Sequence, residues 1–131
     1  MFRPKRGSMF DSQLLIATGS AYSVFSPWFP RGGDILRATA EVTMIYGTNA
    51  KLTVRVFTKN SETTGDGVDV DTAVTADIER TAAGRETKEW SGGTTGLLEL
   101  VRYKFTIEGN AGAFVLFRML TPVWLDAVAA S

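Results

Sequence analysis

The strongest constraint on this chain is an alternation of period two. From Leu36 it reads Leu36-Arg37-Ala38-Thr39-Ala40-Glu41-Val42-Thr43-Met44-Ile45-Tyr46, apolar at even positions and polar at odd ones until Ile45. Successive side chains of a strand point to opposite faces, so this is a long strand with one face on a core and the other mostly wet. Gly47-Thr48-Asn49-Ala50 supplies turn residues, and Lys51–Lys59 alternates again with Leu52, Val54 and Val56 inward. The two segments together predict a β-hairpin.

A second hairpin is expected nearer the end of the chain. Val101–Glu108 sends Val101, Tyr103, Phe105 and Ile107 to one side, Gly109-Asn110-Ala111-Gly112 turns, and Ala113–Leu120 returns apolar on nearly both faces. Such a two-sided strand is either covered on both faces or packed against another subunit. Weaker strands are expected over Gln13–Thr18, Tyr22–Ser26, Val74–Arg80 and Lys88–Ser91, and a short terminal helix over Trp124–Val128. No 3.6-residue stripe runs beyond a turn or two.

Short strands separated by Gly-rich turns place the chain in the all-β class, as an antiparallel β-sandwich of jelly-roll-like type. Its 131 residues suffice for a single core. The expected organisation is an N-terminal arm over residues 1–11, a sandwich domain over residues 12–126 and a C-terminal tail over residues 127–131. No apolar run approaches the ~20 residues that span a bilayer, and Leu14-Leu15-Ile16-Ala17 is too short for a signal sequence. A soluble protein without a membrane partner is expected.

Composition narrows the chemistry. The chain has neither cysteine nor histidine. Disulfides, thiolate nucleophiles, Cys-ligated zinc, Ser-His-Asp triads and HExxH sites are excluded together. Paired carboxylates need no histidine, and Glu41, Asp77, Glu79, Glu89, Glu99 and Glu108 lie on or near strands. They fall mostly on wet faces, and the chain lacks the length usually spent on a deep cleft, so an enzyme is not expected. Neither a cofactor nor a small-molecule substrate is expected. Fourteen basic and fourteen acidic residues cancel, which gives no global field for nucleic acid and little repulsion between copies.

Three segments could carry a function. Ser26-Pro27-Trp28-Phe29-Pro30-Arg31-Gly32-Gly33-Asp34 brackets adjacent aromatics with prolines and then frees the backbone with two glycines. Its rings either plug the end of the sandwich or offer an exposed contact. Asp66, Asp69 and Asp71, with Glu62 upstream, could supply oxygen ligands, but the spacing is not that of an EF-hand and a solvated acidic loop is the simpler reading. Arg3, Lys5 and Arg6 make a small basic arm, too few charges to hold nucleic acid at physiological salt.

The proline-bracketed corner of residues 26–34, feeding the long alternating strand of residues 35–46, resembles small β-sandwich proteins of virus and bacteriophage particles, the head-decoration and auxiliary capsid proteins among them. The Cys- and His-free composition, the basic arm and the Gly/Thr-rich loops are similar to that class as well. The resemblance implies a non-enzymatic protein that assembles in multiple copies on a virion, with copies of itself and a major capsid protein as partners. Candidate contacts are then Arg3, Lys5 and Arg6 of the arm, Trp28, Phe29 and Arg31 at the corner, the outward face of Phe114–Leu120, and Trp124 and Leu125. The alternative is a carbohydrate-binding module that offers Trp28, Phe29, Trp90 and Trp124 to sugar faces.

Overall fold

The computed structural model describes residues 11–70, 77–91 and 96–126. The described residues form eleven strands and no helix: β1 (Gln13–Ile16), β2 (Tyr22–Phe25), β3 (Phe29–Pro30), β4 (Ile35–Tyr46), β5 (Lys51–Lys59), β6 (Val68–Asp69), β7 (Ile78–Arg80), β8 (Gly84–Trp90), β9 (Leu100–Glu108), β10 (Phe114–Met119) and β11 (Val123–Leu125). They make two antiparallel sheets packed against each other, a β-sandwich.

In the first sheet β1 pairs with β10, and β10 with β4. β8 covers residues 36–42 of β4 along one edge. β10 and β11, which pair with residues 40–46 and 35–37, therefore share the other edge as one interrupted line. In the second sheet β9 and β5 pair along their whole lengths. β2 and β3 share the far edge of β9, and β6 and β7 the far edge of β5. Each sheet is thus four strand positions wide: β1, β10–β11, β4, β8 in one and β2–β3, β9, β5, β6–β7 in the other.

The alternation places the core as expected. Leu36, Ala38, Ala40 and Val42 of β4 are buried, as are Leu52, Val54 and Val56 of β5 and Val101, Tyr103, Phe105 and Ile107 of β9. Phe117 and Trp90 add large rings, at 0% and 1% exposure. Each large side chain so buried contributes about 2–3 kcal/mol of transfer free energy. Rings from both sheets touch in sequence: Phe29 to Tyr103 (5.4 Å), Tyr103 to Phe105 (5.8 Å) and Phe105 to Phe117 (5.0 Å) between centroids.

Both expected hairpins are corrected. β4 and β5 lie in different sheets, as do β9 and β10, so each turn carries the chain across the sandwich. A buried-face alternation looks the same in either arrangement, because both strands point their apolar sides at one core. The turns swing the chain over through positive φ at Gly47 (113°), Asn49 (60°), Gly109 (144°) and Gly112 (89°). The two crossings hold each other and the turn after β1. The Asn110 N–H donates to Thr48 O (3.0 Å), the Gly112 N–H to Ala17 O (2.9 Å) and the Ala17 N–H to Ala113 O (2.7 Å).

The expected terminal helix is also corrected. Val123, Trp124 and Leu125 pair with Arg37, Leu36 and Ile35 as strand β11, so sheet hydrogen bonding overrides a weak local helical preference. Of the weaker strands, β1, β2 and β7 fall within the expected ranges, residues 74–76 lie outside the described residues, and β8 begins four residues before Lys88.

Candidate functional site

The outer face of the first sheet carries an apolar field. Pairing sets Leu14 beside Leu116 and Leu116 beside Met44; one row on, Ile16 lies beside Phe114 and Phe114 beside Tyr46. Three strands far apart in sequence therefore build a grid of six large apolar side chains. Leu14, Ile16, Met44 and Tyr46 are 55%, 51%, 52% and 67% exposed, whereas Phe114 and Leu116 in the middle column are half-buried between them. The Tyr46 and Phe114 rings pack at 5.6 Å. Scattered apolar residues on a surface are ordinary; a contiguous group is the form that interaction sites take.

An irregularity makes the field possible. The register of β10 against β4 shifts between Leu116 and Phe117, where Leu116 faces Met44 and Phe117 faces Val42. The extra residue, Thr43, is a β-bulge that changes which positions of β4 point outward. Before it Arg37, Thr39 and Glu41 lie on the outer face; after it Met44 and Tyr46 do.

Beyond the bulge the same face is a ladder of polar pairs. Glu41 accepts from Arg85 (2.6 Å) and Arg118 (2.9 Å), Arg37 pairs with Glu89 (2.6 Å), and the Thr39 and Thr87 hydroxyls hydrogen-bond at 2.7 Å. The two guanidinium groups hold the Glu41 carboxyl below the usual carboxylate range.

The corner residues are occupied within the chain. Phe29 packs on the core against Tyr103 and, at 6.5 Å, against Trp124, so it plugs the end of the sandwich. Gly32 and Gly33 leave room for β11. A Cβ on Gly32 would lie 2.6 Å from the Trp124 ring, and one on Gly33 would lie 2.9 Å from Leu125 O. Arg31 ties the corner, donating to Gly33 O (2.7 Å) and Leu97 O (2.7 Å) and pairing with Asp34 (3.0 Å). Phe29, Arg31, Trp124 and Leu125 thus come together, in contact with one another's segments.

Trp28 lies apart from them, beside Phe25 and Arg102 of the second sheet. The Arg102 guanidinium sits 3.7 Å from the Phe25 ring centroid and 4.3 Å from that of Trp28, and pairs with Asp66 (3.0 Å). The loop bearing Asp66 and Gly67 closes on this stack, where a Cβ on Gly67 would lie 2.8 Å from the Trp28 ring. The four rings proposed for sugar binding do not share a plane on one surface. Trp90 is buried, and Phe29 and Trp124 meet edge to face at 67°.

Two acids of the 62–71 loop are held by arginines, Asp66 by Arg102 and Asp69 by Arg55 at 3.9 Å. Asp71 lies outside the described residues, as do Arg3, Lys5 and Arg6 and the tail of residues 127–131. Among the described residues no group of three or more His, Cys, Asp or Glu gathers to hold a metal. The strand carboxylates are spread over both outer faces, with Asp77 on Arg55 (2.9 Å), Glu108 near Lys51 (3.8 Å) and Glu99 accepting from Ser61 (3.2 Å). Burial raises the pKa of Asp77 and of Asp69, with Arg55 opposing the rise in both. No helix of the described residues is long and apolar enough to cross a membrane.

Sequence reasoning reached the middle column of the field, Phe114 and Leu116, and missed Leu14, Ile16, Met44 and Tyr46. The signal was present. Leu14-Leu15-Ile16-Ala17 and Met44-Ile45-Tyr46 are apolar on successive positions, as Ala113–Leu120 is, and three such strands side by side require a second covered face. No protein-family model, curated protein or solved structure matches this chain.

Proposed function

We propose that the chain is a non-enzymatic structural subunit that assembles in multiple copies on a virus particle, as a capsid decoration or accessory protein of a bacteriophage. The observation that carries this reading is the six-residue apolar field on the outer face of the first sheet. Four half-exposed side chains of roughly 200 Å² each leave about 400 Å² of apolar surface uncovered, within the size range of patches that serve as interaction sites. The strand order supports a jelly-roll topology, an arrangement used by viral capsid proteins and also by lectins and cupins. Fold alone does not choose among those roles. The field favours assembly over sugar binding, because it is a flat aliphatic and aromatic surface without a ring of polar groups to read hydroxyls.

Particles made by the genome that encodes the chain provide the test. Quantitative mass spectrometry of purified particles is expected to find the chain at tens to hundreds of copies each. Its absence from intact particles would overturn the proposal.

A further inference from the structure

We infer that the apolar field is a two-fold interface with a second copy of this chain, two first sheets stacking face to face. The inference rests on the assembly reading and names the partner of that same surface.

Three observations select a copy rather than a charged or irregular partner. The field is neutral, and the charges bordering it are closed into pairs within the chain: Glu41 with Arg85 and Arg118, and Arg37 with Glu89. No uncompensated charge is left for a partner of opposite sign to match. The surface that complements a flat neutral apolar grid is another such grid, and the chain itself supplies one. Its own net charge of zero adds no repulsion between copies. A two-fold axis through the middle column places the field on itself, the self-complementary arrangement of most homodimers.

The area fits. A stable interface buries on the order of 800 Å² per partner, with an apolar centre and a polar rim. The field supplies roughly half of that as its apolar centre. Thr43, Thr18 and Thr48, exposed polar residues near it in sequence, are available for the rim. Stacked sheets sit about 10 Å apart with side chains interdigitated. Tyr46 and Met44, at the open side of the grid, would reach furthest into the facing copy.

Light scattering of the full chain over a concentration series tests this directly. The expected mass is twice the 14.2 kDa of one chain, and it persists in about 1 M salt because apolar contacts are not screened. Met44→Lys and Tyr46→Lys are each expected to leave the chain monomeric at concentrations where the native protein is dimeric. Their circular dichroism should remain native, since both positions are more than half exposed. Trp28→Ala, on the other sheet, is expected to keep the dimer.

A monomer at every concentration overturns the inference, and so does an oligomer that survives both lysine variants. A monomer that dimerises only after residues 1–10 are removed would assign the field to the chain's own terminus and overturn it as well. The particle reading fails separately. A dimer built on the field but absent from particles would sink that reading alone, and a monomer abundant on particles would sink only the two-fold interface.

Discussion

At the scale of single residues, the core carries one group that is out of place chemically. The Tyr103 ring is packed between Phe29 and Phe105, and its hydroxyl is buried without a hydrogen-bond partner among the described residues. Burial alone pushes its pKa well above the ordinary value of 10.0. A buried hydroxyl without a partner costs about 1–3 kcal/mol. Tyr103→Phe is therefore expected to fold normally and to melt at the same or a higher temperature. The sign of the pH effect follows from linkage. Above about pH 10 the unfolded tyrosine loses its proton while the folded one keeps it, so the folded state binds more protons and stability falls as pH rises. Thermal melts of the native chain and Tyr103→Phe at neutral pH and above pH 10 check both points. A variant that is markedly less stable at neutral pH would mean that the hydroxyl is satisfied after all.

At the scale of strands and turns, the crossings between sheets depend on close backbone approach. A Cβ on Gly47 would lie 2.6 Å from Ala113 Cα, and its φ of +113° already disfavours a side chain. Gly112 also has positive φ, but nothing lies within 4 Å of a Cβ built there. Gly112→Ala should cost only the backbone strain, about 1–2 kcal/mol. Gly47→Ala adds a clash with the facing turn and should cost more, roughly 3 kcal/mol or above. Urea titrations of the two variants give the ranking directly, and equal losses would contradict the packed-turn account. The same turns mark how much of the fold the sequence could reveal. Strand positions and inward faces of β4, β5 and β9 were legible, because one buried face imposes period two. Their partners were not. Alternation tells which side of a strand is buried but not whether the next strand lies beside it or across the core. The field was half legible for a related reason. Ala113–Leu120 showed two apolar faces by itself, whereas Leu14, Ile16, Met44 and Tyr46 become a surface only when register brings three strands together.

For the molecule as a whole, neighbours in space are mostly distant in sequence. β1 pairs with β10, and β4 takes β8 on one edge and β10 on the other. Neither sheet is complete until the last third of the chain is in place, and one core serves both. Unfolding is therefore expected to be all-or-none. Tryptophan fluorescence, dominated by the buried Trp90, and far-ultraviolet circular dichroism should report the same urea midpoint. Separate midpoints would mean that one sheet persists without the other. Such long-range pairing also places folding in the millisecond-to-second range rather than the microseconds of helical bundles.

Thr43 links these scales. The bulge there lets one strand speak in two phases: odd positions face outward before it and even positions after it. A strand written this way is sensitive to insertion and deletion more than to replacement. Many residues could stand at position 43, but a lost codon would turn Met44 and Tyr46 toward the core and Ile45 toward solvent. The surface would be erased by an edit that leaves almost every letter of the sequence intact.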